Sequence, residues 1–299
     1  MKPFEVNKIL VPVDFTSTCK LAIDHALKLS EAFNAELLLL NVREPLSIGI
    51  NLADLKISDI DYSNIDSAIS SKMSEWQTEL SAKSKAKISV HLVTGKIRKE
   101  ISKFAEENNV DLVVMGTKGD HGLHEMFIGS NAYAVVSSTD KPVITVQMKP
   151  SAQMYKHILV PIDNTLYSRE KLRYAVEMAE KFGSKLHLYG LIGNTFSDDE
   201  KYRLRLAKKM EQVEEYLKEI KISYGTRIEQ SDNIAMSVLN YAKELDADLI
   251  LIANEHDEAV LGWVVSSLTQ QIVNHSPIPV MSITPHKGIS FFPTLTGGH

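Results

Sequence analysis

The feature that most constrains this chain is an internal repeat. Residues 8–14 read Lys-Ile-Leu-Val-Pro-Val-Asp and residues 157–163 read His-Ile-Leu-Val-Pro-Ile-Asp, an offset of 149. Asp111-Leu-Val-Val-Met returns as Asp248-Leu-Ile-Leu-Ile, and Lys141-Pro-Val-Ile-Thr-Val as Ile278-Pro-Val-Met-Ser-Ile, both at an offset of 137. Three anchors in one order mean two copies of one structural unit. The fall in offset makes the second copy 12 residues shorter between its first and fourth strands, and the stretch Arg43–Asp66 holds most of the excess. With 299 residues in all, each copy is long enough to bury its own core.

Each copy alternates strand and helix. The first predicts strands at Lys8–Val13, Glu36–Val42, Ala86–Val93, Asp111–Met115 and Pro142–Val146. Between them run amphipathic patterns through Leu21, His25 and Leu29, through Ile69, Met73, Trp76 and Leu80, and through Ile97, Ile101 and Phe104; a last helix starts at Ser130. The second copy predicts strands at His157–Ile162, Lys185–Leu191, Ile222–Ile228, Asp248–Ala253 and Val280–Ile283. Near-continuous apolar strands separated by such helices call for parallel strands covered on both faces. The fold class is therefore α/β: two tandem Rossmann-like, doubly wound domains, each with a five-stranded parallel sheet and about four helices. The boundaries fall at 1–149 and 155–287, with a tail at 288–299 and Lys149–Tyr155 as the linker.

Ligands of an open parallel sheet sit beyond the carboxyl ends of its strands. In the first copy these ends carry Pro12, Val13, Asp14 and Thr16, then Val42, then Met115-Gly116-Thr117-Lys118-Gly119. Ten residues after Gly119 come Gly129, Ser130 and Asn131, where the last helix begins. A helix start offers unpaired N–H groups and a positive dipole end to phosphate. Glycine lets backbone approach closely. Ser130 is placed to cap the helix or donate to a phosphate oxygen.

The Gly-x2-Gly-x9-Gly-Ser spacing, the Pro-Val-Asp that ends the first strand and the final Pro-Val strand together resemble the universal stress proteins. The resemblance covers nearly the whole chain as two tandem family domains. It implies an ATP-binding protein with a regulatory, stress-response role. Pro12, Val13, Asp14 and Val42 would then hold adenine, with Asp14 near the base or ribose edge. Met115 and Gly116 would lie by the ribose. Gly119, Gly129, Ser130 and Asn131 would line the phosphates, with Thr16 and Lys118 in reach. Mg²⁺ or Mn²⁺ accompanies the triphosphate in many such sites. No dedicated metal cluster stands in the sequence, so phosphate oxygens and water would hold the ion. Single-domain members commonly dimerise through their last strands. Here Pro142–Val146 and Pro279–Ile283 are placed to pair within one chain as a pseudo-dimer, which leaves a homodimer of whole chains compatible but unread.

The second copy departs from the pattern. Gly116, Gly119, Gly129 and Ser130 become Ala253, His256, Ser266 and Ser267, while Asp163 matches Asp14. Glu255, Asp257 and Glu258 add negative charge. This half is expected to bind ATP weakly or not at all.

Other classes fare worse. A slow ATPase is the main alternative, yet there is no positioned general base, Walker-type lysine or arginine clamp. The intact first loop argues against a scaffold that ignores nucleotide. The net charge of −5 gives no footprint for nucleic acid. The apolar runs are strand-length, so no membrane role is expected. The N-terminus has no signal-peptide core, and a cytoplasmic setting follows. The single cysteine, Cys19, rules out an internal disulfide framework. His121 with His124, and the run Glu255–Glu258, read as solvated loops; Trp76 and Trp263 read as core or interface anchors.

Overall fold

A computed structural model describes residues 4–44, 62–117, 130–147, 154–165, 167–254 and 267–284. The first half runs β1 (Lys8–Pro12), α1 (Ser17–Phe33), β2 (Glu36–Arg43), α2 (Tyr62–Lys83), β3 (Ile88–Thr94), α3 (Ile97–Glu107), β4 (Leu112–Gly116), α4 (Ser130–Val136) and β5 (Val143–Val146). The second runs β6 (His157–Ile162), α5 (Tyr167–Phe182), β7 (Lys185–Gly193), a 3₁₀ turn at Asn194–Phe196, α6 (Glu200–Glu219), β8 (Tyr224–Ser231), α7 (Ile234–Glu244), β9 (Leu249–Ala253), α8 (Ser267–His275) and β10 (Val280–Ile283). The connections from β2 to α2 and from β7 to α6 differ by twelve residues, the whole change in repeat offset. The tail at 288–299, Trp263, the histidines at 121 and 124 and most of the linker lie outside the described residues.

All ten strands form one sheet in the order β3-β2-β1-β4-β5-β10-β9-β6-β7-β8. Each half is parallel throughout. The halves meet antiparallel, Val280 opposite Thr145, Met281 opposite Ile144 and Ser282 opposite Val143. Two parallel five-stranded units therefore share one sheet, in which β3 and β8 are the outer strands.

Strand alternation sorts the core. Ile9 and Val11 face one side with Leu37 and Leu39; Leu10 faces the other with Leu38 and Leu40. The same parity holds in β6, where Ile158 and Val160 oppose Leu159. The first side packs against α1, α2, α5 and α6 as one cluster that runs through both halves. The opposite side splits, with α3 and α4 over the first half and α7 and α8 over the second. Burying each such aliphatic side chain contributes about 1.5–3 kcal/mol.

Aromatic rings close the seam between the halves. Phe33 meets Phe182 edge-on at 5.9 Å, and Tyr155 meets Phe182 at 5.2 Å. Phe4, ahead of β1, packs on Tyr174 of α5 at 4.7 Å. Among the described residues no helix is long and apolar enough to cross a membrane.

One buried polar pair gives this fold a pH dependence. His157 Nδ1 and His187 Nε2 lie 3.1 Å apart on neighbouring strands. Burial first, then His157 and Lys185, push His187 down from 6.5 to about 4. Its folded value thus lies below its unfolded one, so protonation favours the unfolded chain. Stability is whole above the unfolded value and is lost as pH falls through this window. We expect the unfolding free energy in urea to fall by on the order of 1–3 kcal/mol from this group between about pH 6.5 and 4. His187→Leu should flatten that part of the slope; an unchanged slope would assign it to other groups.

Candidate functional site

In each half the chain order reverses beside the first strand. β1 pairs β2 on one side and β4 on the other, and helices leave these strands toward opposite faces. The crevice of a doubly wound sheet opens at that switch. Pro12, Val13, Asp14 and Thr16 follow β1 there, Met115 and Gly116 end β4, and Val42 lies near the end of β2.

The loop after β1 is built from its own side chains. Asp14 Oδ1 accepts hydrogen bonds from Thr16 N at 3.1 Å and Thr16 Oγ1 at 2.7 Å. Thr16 Oγ1 in turn accepts from Cys19 N at 3.2 Å and caps α1. The Thr16 hydroxyl proton is thus already given to Asp14. Asp14 itself stays exposed, and among the described residues both of its hydrogen bonds use Oδ1. Phe15, between them, holds a left-handed φ of 65° and lays its ring edge-on to Trp76 at 5.1 Å. Trp76 is therefore an anchor for this loop. Cys19 sits just behind it, and burial raises its thiol to about 12, which keeps it protonated and unreactive at neutral pH.

Asn41, which the sequence pattern did not single out, ties the strand ends together. It is buried in β2 and donates from Nδ2 to Val13 O at 2.7 Å. An Asn inside an apolar run was the available signal, since a buried amide needs a partner. Arg43, next on the same strand end, is held by Asp66 at 2.6 Å and by Thr94 Oγ1 at 3.0 Å.

Gly116 is required by packing. A Cβ there would stand 2.8 Å from the carbonyl carbon and oxygen of Thr18. The end of β4 therefore touches the first turn of α1, which brings the β1 and β4 portions of the proposed site together. α4 begins at Ser130, with Asn131 next; their side chains, and all of Lys118, Gly119 and Gly129, lie outside the described residues. Among the described residues no group of three or more His, Cys, Asp or Glu could hold a metal ion.

The second crevice has the same backbone plan and different contents. Asp163 Oδ1 accepts from Thr165 N at 2.8 Å, Thr165 Oγ1 at 2.6 Å and Ser168 Oγ at 2.6 Å. Lys209 Nζ donates to the carbonyls of Asp163 at 2.8 Å and Thr165 at 2.7 Å. Burial works against the Asp163 charge, but Lys171 and these hydrogen bonds outweigh it and hold the carboxyl below its ordinary value. Its counterpart in the first half has no such cage. At the matching positions Cys19 and Ala22 stand for Ser168 and Lys171.

A profile of the universal stress protein family matches residues 5–147 and 154–283. The chain belongs to the universal stress protein family. A universal stress protein of Methanocaldococcus jannaschii is 30% identical over 158 residues, which is 48% of this chain and 97% of that protein. A solved universal stress protein of Archaeoglobus fulgidus has a TM-score of 0.74 at 19% identity, covering 94% of this chain and 99% of its own. A functionally unknown Pseudomonas aeruginosa protein follows at 0.69 and 15% identity, covering 94% of each chain. These last two likenesses establish the fold. They show the tandem universal stress architecture spanning almost the full chain.

If the contact between β4 and α1 is as tight as the geometry gives it, Gly116→Ala should cost about 1–3 kcal/mol in urea unfolding. An unchanged midpoint would mean that the two elements have room to spare.

Proposed function

We propose that this universal stress protein binds ATP at one site, in its first half, and acts as a regulatory protein rather than a metabolic enzyme. The carrying observation is the meeting of β4 with α1 at Gly116, which leaves no room for a side chain at the switch point of the sheet. Asp14 stands exposed beside that contact. In this reading Pro12, Val13, Asp14 and Val42 hold the base. Met115 and Gly116 lie along the ribose. Lys118, Gly119, Gly129, Ser130 and Asn131 receive the phosphates at the start of α4, and Mg²⁺ or Mn²⁺ would be held through the phosphates and water. The residues fit such a ligand: an exposed carboxylate at the base end, a half-buried glycine in the middle and a helix start at the phosphate end.

The second half supports the single-site reading. The approach that Gly116 makes bare is made by Ala253, and the Asp163 carboxylate already receives three hydrogen bonds at one oxygen. The reading extends to a cytoplasmic stress-response role, with nucleotide occupancy as the signal.

Calorimetric titration of the full chain with ATP should give one site per chain. Replacing Gly129 by Val together with Ser130 by Leu should weaken binding by roughly tenfold or more, about 1.4 kcal/mol. Unchanged affinity in that variant, or two equivalent sites in the wild type, would overturn the assignment. Following ADP in the same samples separates binding from hydrolysis; turnover at the ordinary enzyme scale of roughly 1 s⁻¹ or faster would replace the regulatory reading with an enzymatic one.

A further inference from the structure

Among the described residues the second crevice stays open. A cavity of about 510 Å³ opens beyond the carboxyl ends of β6, β7 and β9. Small-molecule sites run from about 300 to 1,000 Å³, with mostly apolar walls and a few placed polar groups. The walls here are Ile162, Leu191, Ile234, Ile252, Leu268 and Ile272. Phe196 and Tyr202 stack nearly parallel at the lining, with ring centroids 4.5 Å apart and planes within 5°. Phe196 remains 44% exposed, a large apolar surface left to water beside an apolar cavity.

The polar groups narrow the occupant. Asp163 and Lys171 neutralise one another, and Lys209 is held by two backbone carbonyls. Asn164 donates from Nδ2 to Tyr202 O at 2.9 Å. That bond orients the amide, because a carbonyl needs a donor, and it leaves Asn164 Oδ1 as the acceptor. This oxygen has no hydrogen-bond partner among the described residues and, being buried, offers no surface to a ligand. Arg205, exposed on α6 at the lining, brings a cation. One arginine matches one anionic group. A triphosphate would need more: the glycine of the first crevice is Ala253 here, and Glu255, Asp257 and Glu258 follow it in the sequence.

We propose that the second half binds a small, largely apolar monoanion, at a site separate from the nucleotide site. The apolar body fills the isoleucine and leucine walls against the Phe196–Tyr202 stack. The anion meets Arg205. The second copy has then exchanged one ligand chemistry for another while keeping the crevice.

Anilinonaphthalene sulfonate carries both elements: fused apolar rings and one sulfonate. Fluorescence titration of the native full-length chain with this probe, without nucleotide, should show saturable binding at one site per chain. Leu268→Trp narrows the cavity and should weaken binding by roughly tenfold, and Arg205→Gln by roughly threefold or more. Arg205 is exposed, so its replacement tests the site without loading the core; circular dichroism confirms that Leu268→Trp is folded. Saturating ATP should leave the probe bound. Absent or non-saturable binding overturns the proposal, as does equal affinity in Arg205→Gln and the wild type. Displacement by ATP also overturns it, by placing the probe in the first crevice. Because the titration is read without ATP, its outcome stands whether or not the first half binds nucleotide.

Discussion

The antiparallel pairing of β5 with β10 organises everything else in this molecule. Each half alone would end its parallel sheet on a short, fully buried and mostly apolar strand, an edge that invites aggregation. Pairing Val143–Thr145 with Val280–Ser282 removes both edges at once. Side chains reinforce the seam: Thr145 Oγ1 donates to Val280 O at 3.3 Å, and Thr284 Oγ1 to Thr139 O at 3.0 Å. The continuous cluster beneath α1, α2, α5 and α6 follows from it. So does the direction of the two crevices. Every strand of one half runs opposite to every strand of the other, so the carboxyl ends lie at opposite edges of the sheet. The sites cannot merge, and each evolves its contents alone.

Those contents differ because a small number of side chains fill the loop after the first strand in two ways. In the first half an aromatic pair, Phe15 on Trp76, supports the loop from below and leaves Asp14 exposed. In the second, Val213 stands at the position that matches Trp76, and Lys209 grips the loop carbonyls instead. A buried lysine must be compensated, and here backbone carbonyls at 2.8 and 2.7 Å do it. Lys171 in place of Ala22 then needs a carboxylate, and Asp163 serves. The conserved-looking aspartate thus has an external face in one copy and an internal ion partner in the other.

Much of this architecture was legible because the repeat anchors are the core strands themselves. His157–Ile162 and Val280–Ile283 stand as the pattern placed them, and the other strands differ at their ends by one to three residues. The largest differences are in β7, which continues to Gly193, and β8, which begins at Tyr224 and continues to Ser231. Their register extends through Gly193 opposite Ser231, so pairing prolongs both strands past the residues whose apolarity announced them. The cap of α1 is local, and of the three neighbouring hydroxyls that could supply it, those of Thr16, Ser17 and Thr18, Thr16 does so. The cage around Asp163 was not legible. It brings Lys171 and Lys209 to one point from two helices, and a lysine on a helix reads as solvated until tertiary packing buries it. Asn41 and Asn164 escaped for the same reason, since each bonds a carbonyl distant in sequence.

A buried amide also ties the two halves together across the seam. Asn254, fully buried, follows Ala253 at the mouth of the second crevice. Its N–H is taken by Ile283 O at 2.7 Å, as the matching Thr117 N–H is by Val146 O at 3.2 Å. From that fixed position Asn254 Nδ2 reaches across the seam to Val136 O at 3.0 Å. Val136 is the last residue of α4, whose first residue is Ser130, where the proposed phosphate end of the first crevice begins. Since helices run against the strands they follow, α4 crosses the sheet from the first crevice toward the second. The same Nδ2 also donates to Thr284 Oγ1 at 3.4 Å within its own half, so this one amide ties the end of α4 to the ends of β9 and β10.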